Sequence, residues 1–275
     1  MARRDLLDPT VLRQGATASL ARSVRPAIAQ RCRRLALAHQ PVPLATQFEW
    51  YTRLWRIQNR LRYDVPTDPW ATIAVDPAAV THYAGDVELP WGLGRVQDGD
   101  WDRPPHRHPV EDLPRYRGLV QHFEEGRDWE ETAYYAHLRD RYADHDGPFP
   151  RGHDDFDSFW RDRRDAHETL HRSIRDEGYR PNRAVEHDPE TWGEYVHSLE
   201  PLVVVGRHGE LLWTEGFGRL CVAKLLGVES IPVYVLCRHE RWQRVRERLT
   251  GARPGSCSQA LERHRDHPDV PTPVG

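Results

Sequence analysis

Residues Glu215 to Val235 read EGFGRLCVAKLLGVESIPVYV, and the order of local structure in this string sets the fold class. A glycine-containing turn, Gly216-Phe217-Gly218, leads into a helix expected over Arg219 to Leu226, with Leu220, Ala223, Leu225 and Leu226 apolar and Gly227 as its C-terminal stop. Ile231 to Leu236 (IPVYVL) then has the length and β-branched content of a buried strand. Upstream, Pro201 to Val205 (PLVVV) and Glu210 to Thr214 (ELLWT) flank Gly206 to Gly209 and read as a hairpin. Strand, glycine turn, helix, strand is an anion-binding order on physical grounds: the free N–H groups of a helix start attract negative charge. Gly216 and Gly218 allow close backbone approach, Arg219 adds a fork of donors, and Lys224 lies in the same helix.

Further upstream, Ala71 to Asp76 (ATIAVD) is a strand candidate, followed by a turn at Asp76-Pro77 and a short helix expected over Ala78 to Tyr83. The Gly-, Pro- and Trp-punctuated stretch from Gly85 to Pro109 reads as loop. Three helices are expected next: Leu113 to Glu124 with Asp112 as N-cap, Asp128 to Arg141, and Asp155 to Glu177, whose stripe of Phe156, Phe159, Trp160, His167, Leu170 and Ile174 ends at Gly178. Arg238 to Leu249 reads as a basic helix, and residues 251 to 275 as a disordered tail.

The net charge of −3 over 275 residues conceals three blocks. Residues 1 to 63 carry twelve arginines against three acids, residues 64 to 200 are acidic by 15, and residues 201 to 275 are basic by 3. Lys224 is the only lysine, and a GC-biased codon usage accounts for arginine richness without a nucleic-acid partner. The first block is helical in pattern, punctuated by Pro26, Pro41 and Pro43, and its last segment, Thr46 to Arg62, is a basic amphipathic helix. Such an arm docks on the acidic block of its own chain or of a partner protomer in an oligomer, lies on an anionic membrane surface, or contacts DNA phosphates. Four cysteines without a C-x-x-C pair exclude a disulfide scaffold and a zinc finger. With no apolar run of spanning length and no secretory h-region, a cytoplasmic location is expected.

The string Glu215 to Val235 resembles the central motif of the ParB/sulfiredoxin superfamily, in which an acidic residue and glycine lead to a His-Arg or Arg-Arg pair, a helix ending AKLLG, and an IPV strand. Gly216, Arg219, Leu220, Ala223, Lys224, Leu225, Leu226, Gly227, Ile231, Pro232 and Val233 fall where that pattern expects them. The likeness covers residues 200 to 240; ATIAVDP and Gly94 to Asp102 are similar, more loosely, to the upstream part of uncharacterised archaeal members. It implies an α+β fold with a small mixed β-sheet, residues 64–250, carrying an acidic helical insertion at about 110–195; the charge blocks and helical pattern add a helical basic N-terminal extension, residues 1–63. It also implies a phosphate cradle, which serves CTP in ParB proteins, ATP in sulfiredoxins and a nucleotide phosphate in free-serine kinases. By resemblance, Gly216 and Arg219 become phosphate contacts and Glu215 the acidic residue. The chain departs from the motif at Gly218, normally His or Arg, and at Phe217, where sulfiredoxin chemistry needs a thiolate. Cys221, two residues past Arg219, reads as a buried small hydrophobe.

The expected ligand is therefore a nucleoside triphosphate or diphosphate, or another phosphate-bearing small molecule, at Gly216, Gly218, Arg219 and Lys224. Glu215 is the base for a phosphoryl-transfer activity. Asp98, Asp100 and Asp102, in one tight turn with Gly99, are the candidate Mg²⁺ ligands beside the phosphate. The alternatives are a DNA-associated module without catalysis, using the basic helices, and a peripheral membrane protein attached through residues 1 to 63. The clusters His106 to Asp112 and His145 to Asp157 lack any metal-site spacing and read as solvated loops.

Overall fold

The computed structural model describes residues 43–271 except 148, 185, 186, 188, 190 and 254. The chain divides into Met1–Leu44 and a main unit, Ala45–Gly275, which holds the sheet. The N-terminal arm before residue 43 lies outside the described residues.

The main unit is an α+β structure on a seven-stranded mixed sheet. Its strands are β1 (Thr72–Val75), β2 (His82–Ala84), β3 (Arg95–Gln97), β4 (Arg107–Pro109), β5 (Leu202–Val205), β6 (Leu211–Glu215) and β7 (Ile231–His239). The order is β1-β7-β5-β6-β2-β4, with β3 sharing the β1 flank of the long strand β7. β5 and β6 form the expected hairpin, closed by Gly206 N–H to the Glu210 carbonyl at 2.8 Å. β7 lies parallel to β5, which the helical connection between β6 and β7 makes feasible.

Strand alternation sends side chains to two cores. On one face, Val203, Val205, Trp213, Val233 and Val235 pack under α2 (Pro114–Phe123), α3 (Ala133–Arg141), α4 (Phe156–Glu177), α6 (Phe217–Leu225) and α7 (Glu240–Gly251). On the other, Leu202, Val204, Leu212 and Leu236 meet Phe48 of α1 (Leu44–Arg62), Leu93 and Trp101, with α5 (Trp192–Ser198) at the margin. A bulge in the β5–β7 register, where Val203 faces Val235 but Val204 faces Cys237, shifts the alternation.

Several expectations change for identifiable reasons. Instead of a helix over Ala78 to Tyr83, a single 3₁₀ turn, Pro77–Ala79, capped by the Asp76 carboxylate on Ala78 N–H at 2.8 Å, is followed by β2, which β6 and β4 recruit from either side. The stretch Gly85 to Pro109 holds β3 and β4, three residues each. The helix read as starting at Asp128 starts at Ala133, because Trp129–Glu131 makes a 3₁₀ turn and Thr132 takes the N-cap. Asp155 does cap α4, accepting from Ser158 N–H at 2.6 Å. α1 is not part of a separate extension: Phe48, Thr52, Trp55 and Asn59 are buried, with Trp55 Nε1 donating to the Trp91 carbonyl and Asn59 Nδ2 to that of Gly94.

The segment expected to be a disordered tail is part of the body as far as it is described. It forms α8 (Gln259–Glu262), then buries Asp269 and Val270. Asp269 receives Arg238 Nη2 at 2.6 Å, Trp242 Nε1 at 2.8 Å and Arg246 Nε at 3.2 Å. A carboxylate so far down the chain supplies the counter-charge that lets two arginines of β7 and α7 be buried.

Candidate functional site

The corner between β6 and α6 carries the motif residues. Glu215 ends β6 and its carbonyl takes Trp213 Nε1 at 2.7 Å, which fixes the strand end. Gly216 follows at φ +81°, with Pro201 Cα 2.7 Å from where a Cβ would stand, so conformation and space both require glycine. α6 then begins at Phe217, two residues earlier than the sequence pattern suggests, with Gly216 as an N-cap that offers no side-chain oxygen. The Phe217, Gly218 and Arg219 N–H groups thus stand at an uncapped helix start. Burial raises the pKa of the Glu215 carboxyl; the Gly216 N–H and the nearby Arg115 charge oppose this only in part.

The two basic residues of the motif point elsewhere. Arg219 Nη2 donates to the carbonyls of Leu199 at 2.5 Å and His197 at 3.3 Å, and Nη1 lies 3.8 Å from the buried carboxylate of Glu200. Burial lowers the Arg219 pKa, with Tyr179 and Glu200 opposing. It ties α6 to the end of α5, beside Asn182, whose Nδ2 reaches the same two carbonyls. Lys224 Nζ spans the carbonyls of Pro77, Ala78 and Val80 at 3.0 to 3.4 Å and closes the 3₁₀ turn after β1. Of the expected ligand contacts, Glu215, Gly216 and Gly218 line the corner; Arg219 and Lys224 act as tethers.

A different arginine stands there. Arg115, in the first turn of α2, holds its guanidinium 4.6 Å over the Phe217 ring and 5.4 Å over that of Tyr134. Phe217 is packed on Trp213, ring centroids 4.0 Å apart. Stacking uses the face of a guanidinium and leaves its in-plane N–H donors free. Among the described residues, no hydrogen bond or ion pair engages Arg115. Its charge is felt by Glu215, Tyr83, Cys221 and His167. His167, in α4, is held near pKa 4 by burial, with Nδ1 2.6 Å from the Arg163 carbonyl. Cys221 is fully buried and its thiol is pushed well above the ordinary range, so it behaves as the inert hydrophobe expected. Sequence reasoning missed Arg115 because only tertiary packing brings α2 to the start of α6; Pro114 marking a helix first turn is the sole local signal.

Asp98, Asp100 and Asp102 lie at the other end of β6, beside the β5–β6 hairpin. Asp102 grips Arg207: Nη2 is 2.6 Å from Oδ1, Nε 3.0 Å from both oxygens, and the Arg207 N–H 2.7 Å from Oδ2. Asp100 also takes Arg207 Nη2 at 2.8 Å, while Asp98 lies 3.4 Å from His239 Nε2. The length of β6, five residues or about 17 Å at ~3.4 Å per residue, separates this turn from Gly216. The structure therefore does not bring the acidic turn and the glycine turn into one cleft. Among the described residues, no group of three or more His, Cys, Asp or Glu side chains is placed to hold a metal ion.

A cleft of about 590 Å³ opens apart from the motif, lined in part by Asp76, His82, Arg107, Glu210, Asp266 and His267. Its polar groups are largely committed: Asp76 caps a turn, Glu210 accepts from His208 N–H, and His267 Nε2 donates to the Gly209 carbonyl. The basic helix expected over Arg238 to Leu249 begins at Glu240; Arg238 at the end of β7 and Arg246 in α7 are both buried on Asp269, and Arg244 pairs with Glu240. No described helix is long and apolar enough to cross a membrane. The fold and corner together define an α+β protein with a mixed sheet and an uncapped strand–glycine–helix corner overlooked by an unpaired guanidinium. Comparison with family models, with curated proteins and with solved structures gave no match to this chain.

Proposed function

We propose that the protein binds a phosphate-bearing small molecule, a nucleotide, at the β6–α6 corner, with the N–H groups of Phe217, Gly218 and Arg219 and the guanidinium of Arg115 as its donors. The observation that carries this is Arg115, stacked on Phe217 and Tyr134 and, among the described residues, without a hydrogen bond or ion pair, at a helix start. Charged donors on a planar fork match phosphate oxygens. In this reading Arg115 takes the place of the second basic residue that the motif lacks at Gly218, and Arg219 serves the fold. The order β6, glycine turn, α6, β7 supports a ParB/sulfiredoxin-type arrangement for the central strands. For phosphoryl transfer Glu215 supplies the base, and a carboxyl whose pKa is raised by burial suits that task better than an exposed one.

Calorimetric titration with CTP, ATP, ADP and GTP, each with Mg²⁺, tests the reading. Wild type binds one of them, Arg115→Ala weakens that binding at least about tenfold, the loss of one charge-assisted contact, and Gly218→Val blocks it. No binding at millimolar ligand, or equal binding by Arg115→Ala, overturns it.

A further inference from the structure

α1 has a buried face and, opposite it, an exposed apolar one. Phe48, Thr52, Trp55 and Asn59 form the buried one. Trp50, Leu54, Ile57 and Leu61, spaced i, i+4, i+7 and i+11, form a second stripe on the far side, 59%, 38%, 58% and 85% exposed. Only one other large apolar residue among the described ones, Trp70, is exposed. Arg53 and Arg60 run along one flank of the stripe and both are exposed, Arg53 in a surface ion pair with Glu49 at 3.7 Å. Helix and stripe are held rigidly, because the buried face is pinned to the Trp91 and Gly94 carbonyls and Thr52 Oγ1 accepts the Leu93 N–H at 3.0 Å.

We infer that this stripe is a docking surface for an anionic lipid surface, with Trp50, Leu54, Ile57 and Leu61 entering the headgroup–acyl boundary and Arg53 and Arg60 meeting lipid phosphates. Charge selects this occupant. Residues 1–62 carry twelve arginines against three acids, so the segment attracts an anionic partner and repels a second copy of itself. A nucleic acid answers the arginines but offers no apolar layer for two leucines and an isoleucine. An interfacial helix with a basic flank and a tryptophan fits a surface that is both anionic and apolar. The surface lies across the sheet from the β6–α6 corner, since α1 covers the face with Leu202, Val204 and Leu212 while α6 covers the other.

Co-sedimentation of the full chain with vesicles of phosphatidylcholine, and of phosphatidylcholine mixed with phosphatidylglycerol, tests the inference. Wild type pellets with the anionic vesicles. The double variant Ile57→Asp/Leu61→Asp partitions at least tenfold less, and Arg53→Gln/Arg60→Gln loses about fivefold per arginine on anionic vesicles alone. All these positions face solvent, and unchanged circular dichroism verifies that the variants fold. Wild type left in the supernatant overturns the inference. So does equal pelleting of the stripe variants, which assigns attachment to residues 1–43, or a wild-type dimer in sedimentation that the stripe variants abolish, which assigns the stripe to a second copy.

Discussion

Asp102→Asn separates two uses of the acidic turn, an internal ion pair and a metal ligand. The Asp102 side chain is 2% exposed and that of Arg207 4%, and the carboxylate receives both Nε and Nη2 together with the Arg207 N–H. An asparagine keeps one acceptor and sets an NH₂ against a guanidinium donor. Breaking a buried pair by removing one partner costs about 3–5 kcal/mol, because the other charge stays buried. Arg207 retains the Asp100 carboxylate and the Gly99 carbonyl, both at 2.8 Å, which places the cost near the lower end, about 3 kcal/mol. For a unit of this size that is a fall in Tm of roughly 6–12 °C. Replacing both partners by leucine removes the stranded charge and recovers most of the loss.

The assay is thermal unfolding of wild type, Asp102→Asn and Asp102→Leu/Arg207→Leu, with and without millimolar Mg²⁺. Burial pushes the Asp102 carboxyl upward, but its hydrogen bonds from Arg207 outweigh this and its pKa lies below the ordinary value. A depressed carboxylate contributes stability above its unfolded pKa of about 3.9 and loses it as pH falls through the folded value, so the difference between wild type and Asp102→Asn narrows in acid. A fall under about 2 °C refutes the ion-pair argument. So does a wild-type Tm that rises with Mg²⁺ and an Asp102→Asn Tm that does not, since ligand binding stabilises the state that binds.

Asp269→Asn strands Arg238 and Arg246 together and costs about 3–5 kcal/mol by urea unfolding; a loss under about 1 kcal/mol would mean that the final described segment is only loosely attached. Gly216→Ala forces a Cβ into a left-handed residue against Pro201 and destabilises by about 2 kcal/mol or more, whereas Gly227→Ala, equally left-handed but with open space around it, costs only the conformational part, about 1–2 kcal/mol. Glu215→Gln stabilises the protein near neutral pH, because a carboxyl with a raised folded pKa lends stability below its unfolded value and forfeits it as pH rises through the folded one. Equal pH–stability curves for wild type and Glu215→Gln count against the burial assigned to that carboxyl.

The central strands and α4 were legible because their apolar runs are continuous and their stops are chemical: Val203 to Val205, Ile231 to Val235, the Asp155 cap, Gly178 and Gly227. β3 and β4 were not, since Arg-Val-Gln and Arg-His-Pro hold no alternation of their own and are strands only because β7 and β2 offer partners. α5 carries a local signal that the apolar pattern alone does not reveal, Thr191 with Glu194 three residues later, which forms a full capping box. The glycine of the corner was legible from the motif. Its arginine was not.

That last failure has a physical cause that reaches beyond one side chain. With a single lysine, this chain uses arginine for nearly every positive charge. Several are internal cross-links: Arg207 to Asp102, Arg238 and Arg246 to Asp269, Arg219 to two carbonyls. In each case the partner lies 20 or more residues away, so sequence position near a glycine turn does not tell a ligand arginine from a tether. A guanidinium whose hydrogen-bonding capacity is spent inside the fold has little left for a phosphate, and freeing it would cost the desolvated partner it leaves behind. The arginine able to recognise an anion without that cost is one held in place by apolar stacking alone. Arg115, on Phe217 and Tyr134, meets that condition at the helix start proposed above as the phosphate site.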